Sequence, residues 1–157
     1  MLNHIQPEDV LFLDIETVPQ CLDFHQLDET TQHLWEQKSA SFCKDGQTPE
    51  DVYQRAGIYA EFGNIVCISV GFAYRMPDGQ LAFRLKSCFG DDESNLLKGF
   101  SNVINKFSTQ HFNMLLCAHN GKEFDFPYIA RRMLINGITL TAAFDIDRKS
   151  TRLNSSH

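Results

Sequence analysis

The 157-residue chain is 43% hydrophobic and 22% charged, a composition that excludes disorder, collagen-like repeats and coiled coil as descriptions of the whole chain. Its net charge of -6 argues against a protein that holds nucleic acid by charge alone, although not against an enzyme that holds it through metal ions. No membrane span or secretory signal is predicted, and the five cysteines form no CxxC pair. We therefore expect a cytoplasmic protein with free thiols and no membrane partner; its oligomeric state is not predicted.

The first half of the chain predicts a strand followed by a helical insert. The segment Val10–Leu13 is apolar at every position, as in a central strand covered on both faces. Helices are predicted over Leu27–Gln37 and Pro49–Ala60. The second has Thr48 as its N-cap and proline at its first helical position.

The middle of the chain predicts a hairpin and a helix. Ile65–Tyr74 and Gln80–Phe89 are rich in strand-forming residues, and the turn signal Met76–Gly79 separates them. The acidic run Asp91–Glu93 then favours the start of a helix. The predicted buried stripe of this helix comprises Leu96, Phe100, Val103, Ile104 and Phe107.

A second strand and helix follow. Phe112–Ala118 predicts a buried strand, and Gly137 is placed to end the helix after it. The apolar residues of that helix recur on one face, at Phe126, Ile129, Ala130, Met133 and Leu134. The order strand, helical insert, hairpin, helix, strand, helix predicts an α/β fold.

The last ten residues, RKSTRLNSSH, break this pattern and resemble translated adaptor sequence. They contain no acid and show no helical or strand period. We therefore predict that residues 148–157 are a non-native tail and that residues 1–147 are an incomplete domain whose natural sequence continues.

Asp14 and Glu16 end the first predicted strand and point to the same face, because strand side chains alternate. Two neighbouring carboxylates repel each other and lose solvation if the strand is central. A divalent cation such as Mg²⁺ or Mn²⁺ would relieve both effects. The alternative is that the strand ends in solvent and both acids are hydrated.

A second polar run lies between the last predicted strand and helix. Asp125 stands at the mouth of the helix, where capping is its ordinary role. Asn120 and Gly121 are typical turn residues, and His119 is interpreted as a structural histidine.

Together, the run Leu11–Thr17 (hhhDhET) and the later Asn120–Asp125 (NxxxFD) resemble the 3′–5′ exonucleases of the DEDD superfamily. The likeness is greatest to the proofreading-type exonuclease domains of family B DNA polymerases and to small stand-alone proteins built on that domain. The run Phe62–Gly71 is also similar to that family. The resemblance implies a ribonuclease H-like mixed sheet flanked by helices, and hydrolysis of the terminal phosphodiester at single-stranded DNA or RNA 3′ ends by two Mg²⁺ or Mn²⁺ ions.

Carried over by position, the resemblance makes Asp14, Glu16 and Asp125 the catalytic metal ligands. Four further residues would bind substrate: Ile15 and Thr17 through their backbone, Asn120 by hydrogen bonding and Phe124 by apolar contact. Lys122, Arg131 and Arg132 are candidates for phosphate contact, with solvated helix-face charge as the simpler interpretation of the two arginines.

The C-terminal helix of the third family motif, with its fourth aspartate, is missing. Asp145 and Asp147 come too soon after the preceding helix and have no Tyr or His at the family's offset. The resemblance therefore implies weak or absent activity in this polypeptide.

Two rival interpretations stay open. One is a non-catalytic nucleic-acid-binding module of the same fold. The other is an aspartate-dependent phosphotransferase, since Asp14–Thr17 is close to DxDxT and Gly90–Asn95 is close to GDxxxN.

Overall fold

The computed structural model describes residues 5–141, residue 144 and the backbone of residues 152–154. One sheet has the strand order β3-β2-β1-β4-β5. Its strands are β1 (Val10–Pro19), β2 (Gly63–Arg75), β3 (Leu81–Phe89), β4 (Leu115–Ala118) and β5 (Arg152–Asn154). The α-helices are α1 (Glu29–Ser39), α2 (Glu93–Gln110) and α3 (Asp125–Ile135), and short 3-10 helices span Pro7–Asp9, Phe24–Gln26 and Tyr53–Ile58.

The sheet is mixed. Strand β1 runs parallel to β4, with Val10 opposite Leu115, and β4 runs parallel to β5. Strands β2 and β3 form the predicted antiparallel hairpin. At its turn Gly79 has a φ of +84°, a conformation that glycine adopts without steric cost. The α/β class is therefore confirmed, and a mixed sheet with accompanying helices is consistent with a ribonuclease H-like fold.

Strand β5 lies in the segment predicted to be a non-native tail. Its three residues pair in parallel with Leu116–Ala118 of β4. The lack of a strand period did not prevent this pairing, because ladder hydrogen bonds use the backbone rather than the side chains. The non-native origin of residues 148–157 stays a prediction, and Asp145 and Asp147 lie outside the described residues.

The chain divides into two compact units. The first contains the described residues up to Glu16 and from Val66 onward, and holds the helix–sheet core. Alternate residues of β1 are buried there, and α2 contributes a buried stripe. The largest fully buried side chains of this core are those of Phe100, Phe126 and Phe144.

Three expectations about this core are corrected. Strand β1 is central but not covered on both faces, since Phe12 is 41% exposed and contacts the ring of Phe83. Strand β4 begins at Leu115; Phe112 is 99% exposed because the chain turns there, with the amide of Met114 donating to the carbonyl of His111. Leu134 is exposed and Val103 is half-buried, so each lies at the margin of its predicted stripe.

The second unit, Thr17–Ile65, corresponds to the predicted helical insert. Its core surrounds Trp35, which is fully buried among aromatic rings. Helix α1 is confirmed, but the predicted helix Pro49–Ala60 is wrong: only Tyr53–Ile58 is helical, as a 3-10 helix. The carbonyl of Pro49 accepts a hydrogen bond of 2.8 Å from the Trp35 indole, so a tertiary contact replaces the first helical turn.

No helix within the described ranges combines the length and hydropathy that crossing a membrane requires. The five cysteines are free thiols, as expected from their spacing. Cys117 is buried in β4, and its burial raises the pKa of the thiol.

Candidate active site at the end of strand β1

Strand β1 presents its acids as the alternation predicted. Asp14 and Glu16 are exposed. Leu13, which precedes Asp14, and Ile15, which lies between the two acids, are buried. Both carboxylates therefore lie on the face of β1 that points away from the buried side chains.

The loop after β4 is set by backbone geometry at two residues. Asn120 has a φ of +52°, the left-handed conformation that asparagine tolerates, and its carbonyl accepts hydrogen bonds of 3.0 Å from the amides of Glu123 and Phe124. Gly121 packs so closely that an added Cβ would lie 2.7 Å from the Ala118 Cβ and 2.8 Å from the Phe126 ring. The loop therefore turns tightly back and delivers the next residues to the start of α3.

Asp125 is the first residue of α3 and is only 2% exposed. Its carboxylate accepts a hydrogen bond from the backbone amide of Ile15 and lies within electrostatic range of Asp14. The capping interpretation is wrong, because the N-cap position is Phe124 and carries no side-chain cap. The fold thus brings the third predicted site residue to the first motif.

Burial and charge act together on Asp125. Burial is the main cause that raises the pKa of this carboxyl, to about 6, and the negative charge of Asp14 raises it further. The Ile15 amide and His119 oppose the shift. A carboxyl with a pKa so close to neutrality is common at functional sites, although structural networks produce such shifts too.

The set of Asp14, Glu16 and Asp125 as metal ligands stays a prediction. Over the described ranges, no three His, Cys, Asp or Glu side chains are grouped closely enough to hold a metal ion. Asp14 is the carboxylate whose charge acts on Asp125. A buried carboxylate facing a second carboxylate is nevertheless a donor set that suits a hard divalent cation, which would relieve both burial and repulsion.

The remaining predicted substrate residues lie on the same two segments. Phe124 is half-buried, with its ring 5.3 Å from that of Tyr128, and Asn120 is exposed. Thr17 continues β1 and is half-buried, but it belongs to the other compact unit. The Ile15 amide donates to Asp125, and its predicted contact with a nucleotide stays a prediction.

Two residues behave differently from expectation. His119 is exposed rather than a buried structural histidine, and it acts on Asp125 through its charge. Its position next to the second motif was the one available signal for this role. Arg132 is only 6% exposed, so it is not a solvated helix-face charge. Its Nε donates to the Glu93 carboxylate at 2.9 Å, which occupies the guanidinium in place of a phosphate. Asn136 donates to the same carboxylate.

The acids that suggested a phosphotransferase have structural partners. Asp92 is the N-cap of α2 and accepts hydrogen bonds from the amide and the side chain of Asn95, at 2.9 and 2.7 Å. Glu93 is held by Arg132. These partners give Asp92, Glu93 and Asn95 of the Gly90–Asn95 run structural roles at the start of α2.

Comparison with solved structures finds similar chains. The structure of the family B DNA polymerase from the hyperthermophilic archaeon Pyrobaculum calidifontis is similar over 83% of this chain, at 18% identity and a TM-score of 0.40. The matched region spans 11% of the polymerase chain. No protein-family model matches the chain, and no curated protein matches it.

Proposed function

We propose that this chain is a 3′–5′ exonuclease domain that hydrolyses the terminal phosphodiester bond of single-stranded DNA or RNA. The observation that carries the proposal is the position of Asp125, buried against the Ile15 amide and beside Asp14. The two sequence motifs that resemble DEDD exonucleases lie far apart in the chain, and this contact is what a shared site would require.

In this proposal Asp14, Glu16 and Asp125 hold two Mg²⁺ or Mn²⁺ ions. Bound ions of this kind supply an activated water and stabilise the leaving 3′ oxygen. Glu16 is exposed, two residues beyond Asp14 on the same face of β1, and would complete the set. The Ile15 amide of β1 favours the ionised form of the Asp125 carboxyl, the form that binds a cation.

The substrate would lie along the same two segments. Asn120 offers a side-chain amide from an exposed turn, and Phe124 offers a partly exposed ring on which a terminal base can stack. The backbone at Ile15 would contact the 3′-terminal nucleotide. Lys122 is exposed in the same loop and is the nearest candidate in sequence for a phosphate contact.

A nuclease assay tests the proposal. Single-stranded DNA and RNA of one sequence, each labelled at the 5′ end, would be incubated with the protein and Mn²⁺ and resolved on a denaturing gel. We expect slow shortening from the 3′ end that stops when a chelator is added. Asp14→Asn and Asp125→Asn should abolish the shortening, whereas Asp45→Asn, an exposed aspartate of the second unit, should not. Equal shortening by all four proteins would exclude the assigned carboxylates.

The non-catalytic alternative is favoured by the absence of a three-carboxylate group among the described residues. It predicts that the protein binds 3′-ended single strands without shortening them, even at high Mn²⁺. A fluorescence-anisotropy titration beside the gel separates the alternatives, because binding without any cleavage would support the module and contradict the nuclease.

A further inference from the structure

A cavity of about 370 Å³ lies between the sheet and the C-terminal half of α2. All of its lining belongs to the first compact unit. Its apolar walls come from both layers: Leu11, Val70 and Phe72 from the sheet, and Val103 and Phe107 from the helix. The rings of Phe72 and Phe107 meet at 5.4 Å and 58°, so one wall is aromatic. A volume of this size is within the range of small-molecule sites.

Three cations line the same cavity. Arg84 and Lys86 stand opposite Phe72 and Val70 in the β2–β3 register, and Lys106 comes from α2. No acidic residue lines the cavity, and within the part of the chain that the structure describes none of the three makes an ion pair. The guanidinium of Arg84 lies over the ring of Tyr74, 5.2 Å from the ring centroid.

A group of three cations without an acid is unusual in this chain, because the net charge of the chain is -6. A single lysine whose stem covers apolar surface is ordinary. Three like charges gathered around one apolar cavity repel one another, and an anion would relieve that repulsion.

We propose that this cavity binds a small organic anion, with its charged group at the Arg84–Lys86–Lys106 rim and its aromatic or aliphatic body against Phe72 and Phe107. The assignment does not rest on the proposed nuclease function, since it uses none of that site's residues. Burial of the ligand body supplies the affinity, and the cations select for negative charge. A nucleoside monophosphate and a medium-chain fatty acid share this chemistry.

The test uses 8-anilinonaphthalene-1-sulfonate as the probe, titrated into the full chain and followed by fluorescence. We expect saturable binding to one site that weakens as ionic strength rises. Replacing Arg84, Lys86 and Lys106 together by glutamine should raise the Kd by about tenfold, because exposed charge contacts are individually weak. Lys98→Gln, an exposed lysine of the same helix outside the cavity, should leave the Kd unchanged.

Two further variants separate the cavity from other apolar surface. Val103→Trp would fill the cavity while keeping all three charges, and should abolish binding. Leu85→Ser removes an exposed apolar side chain from the other face of β3, and should have no effect. Circular dichroism would verify that each variant is folded, and the charge variants alter only exposed side chains.

Competition then identifies the ligand source. Displacement of the probe by dAMP would indicate a nucleotide, and displacement by decanoate would indicate a fatty acid; either supports the proposal. Failure of both to displace the probe would overturn it, as would a Kd that the triple substitution does not change. Much stronger displacement by a single-stranded oligonucleotide than by dAMP would also overturn it, and would make the three cations part of a nucleic-acid path.

Discussion

The carboxylate of Asp125 lies within electrostatic range of Asp14, although α3 and β1 are separated by most of the chain. Burial makes this proximity consequential, because a carboxylate that is removed from water responds strongly to a neighbouring charge. The pair is therefore both the centre of the candidate site and a source of instability in the fold.

The first prediction concerns stability and pH. The pKa of Asp125 is 3.8 in the unfolded chain and about 6 in the folded protein, so the folded state binds more protons between these values. The free energy of unfolding therefore falls as the pH rises through this window, and the ionised side chain costs up to about 3 kcal/mol at pH 7. Asp125→Asn should stabilise the protein by up to that amount at pH 7 and by little near pH 4.

Urea denaturation of both proteins across this pH range, with a chelator present, checks the prediction. Asp45→Asn is the matched control and should follow the wild-type curve. A difference between Asp125→Asn and wild type that is the same at pH 4 and pH 7 would show that the buried carboxyl is not responsible.

Gly121 should be intolerant of any side chain. A methyl group there would meet Ala118 and Phe126 at less than 3 Å, in the loop that delivers Asp125. We expect Gly121→Ala to lower the free energy of unfolding by about 1–3 kcal/mol. Gly99→Ala in α2 provides the contrast, because its added Cβ would have an ordinary contact of 3.8 Å with Cys88 and should stabilise the helix by about 0.5–1 kcal/mol. Thermal unfolding compares the two variants. A change in stability of the same sign in both would contradict the close packing at Gly121.

Asn120 combines a backbone requirement with a proposed substrate contact, and two substitutions separate them. Asn120→Gly keeps the left-handed conformation, so the fold should be unaffected while binding of a 3′-ended oligonucleotide weakens. Asn120→Ala should weaken oligonucleotide binding in the same way, and should in addition lower the free energy of unfolding by about 1 kcal/mol. Unchanged oligonucleotide binding by the glycine variant, measured by anisotropy, would remove Asn120 from the proposed substrate groove.

Arg132 should act as a structural residue. Its removal leaves Glu93 uncompensated where α3 meets the start of α2, so Arg132→Met should cost about 3–5 kcal/mol. Replacing Glu93 by methionine as well should recover most of that loss. Chemical denaturation of the single and double variants checks this. A stable single variant that binds nucleic acid poorly would instead support a phosphate contact.

Local patterns predicted those parts of the fold that local forces determine. The alternation that places Asp14 and Glu16 on one face of β1 and the turn chemistry of the β2–β3 hairpin are properties of short segments. The prediction of a helix over Pro49–Ala60 was wrong because the Pro49 carbonyl accepts a hydrogen bond from the indole of Trp35 in α1. No period in the sequence carries that contact.

The candidate site shows the same division. Both motifs were identified from sequence, but the amide of Ile15 as the hydrogen-bond donor to Asp125 was not, since a backbone group leaves no signature in side-chain identity. Arg132 looked like a helix-face charge because helical spacing does not reveal which neighbouring element covers that face.

Titration of Mn²⁺ by isothermal calorimetry tests the central claim most directly. Wild type and Asp45→Asn should bind Mn²⁺ with the same affinity, while Asp14→Asn and Asp125→Asn should each weaken binding by at least about tenfold, because each removes one oxygen ligand. Equal Mn²⁺ affinity in all four proteins, or no binding by wild type, would contradict a cation site formed by Asp14 and Asp125.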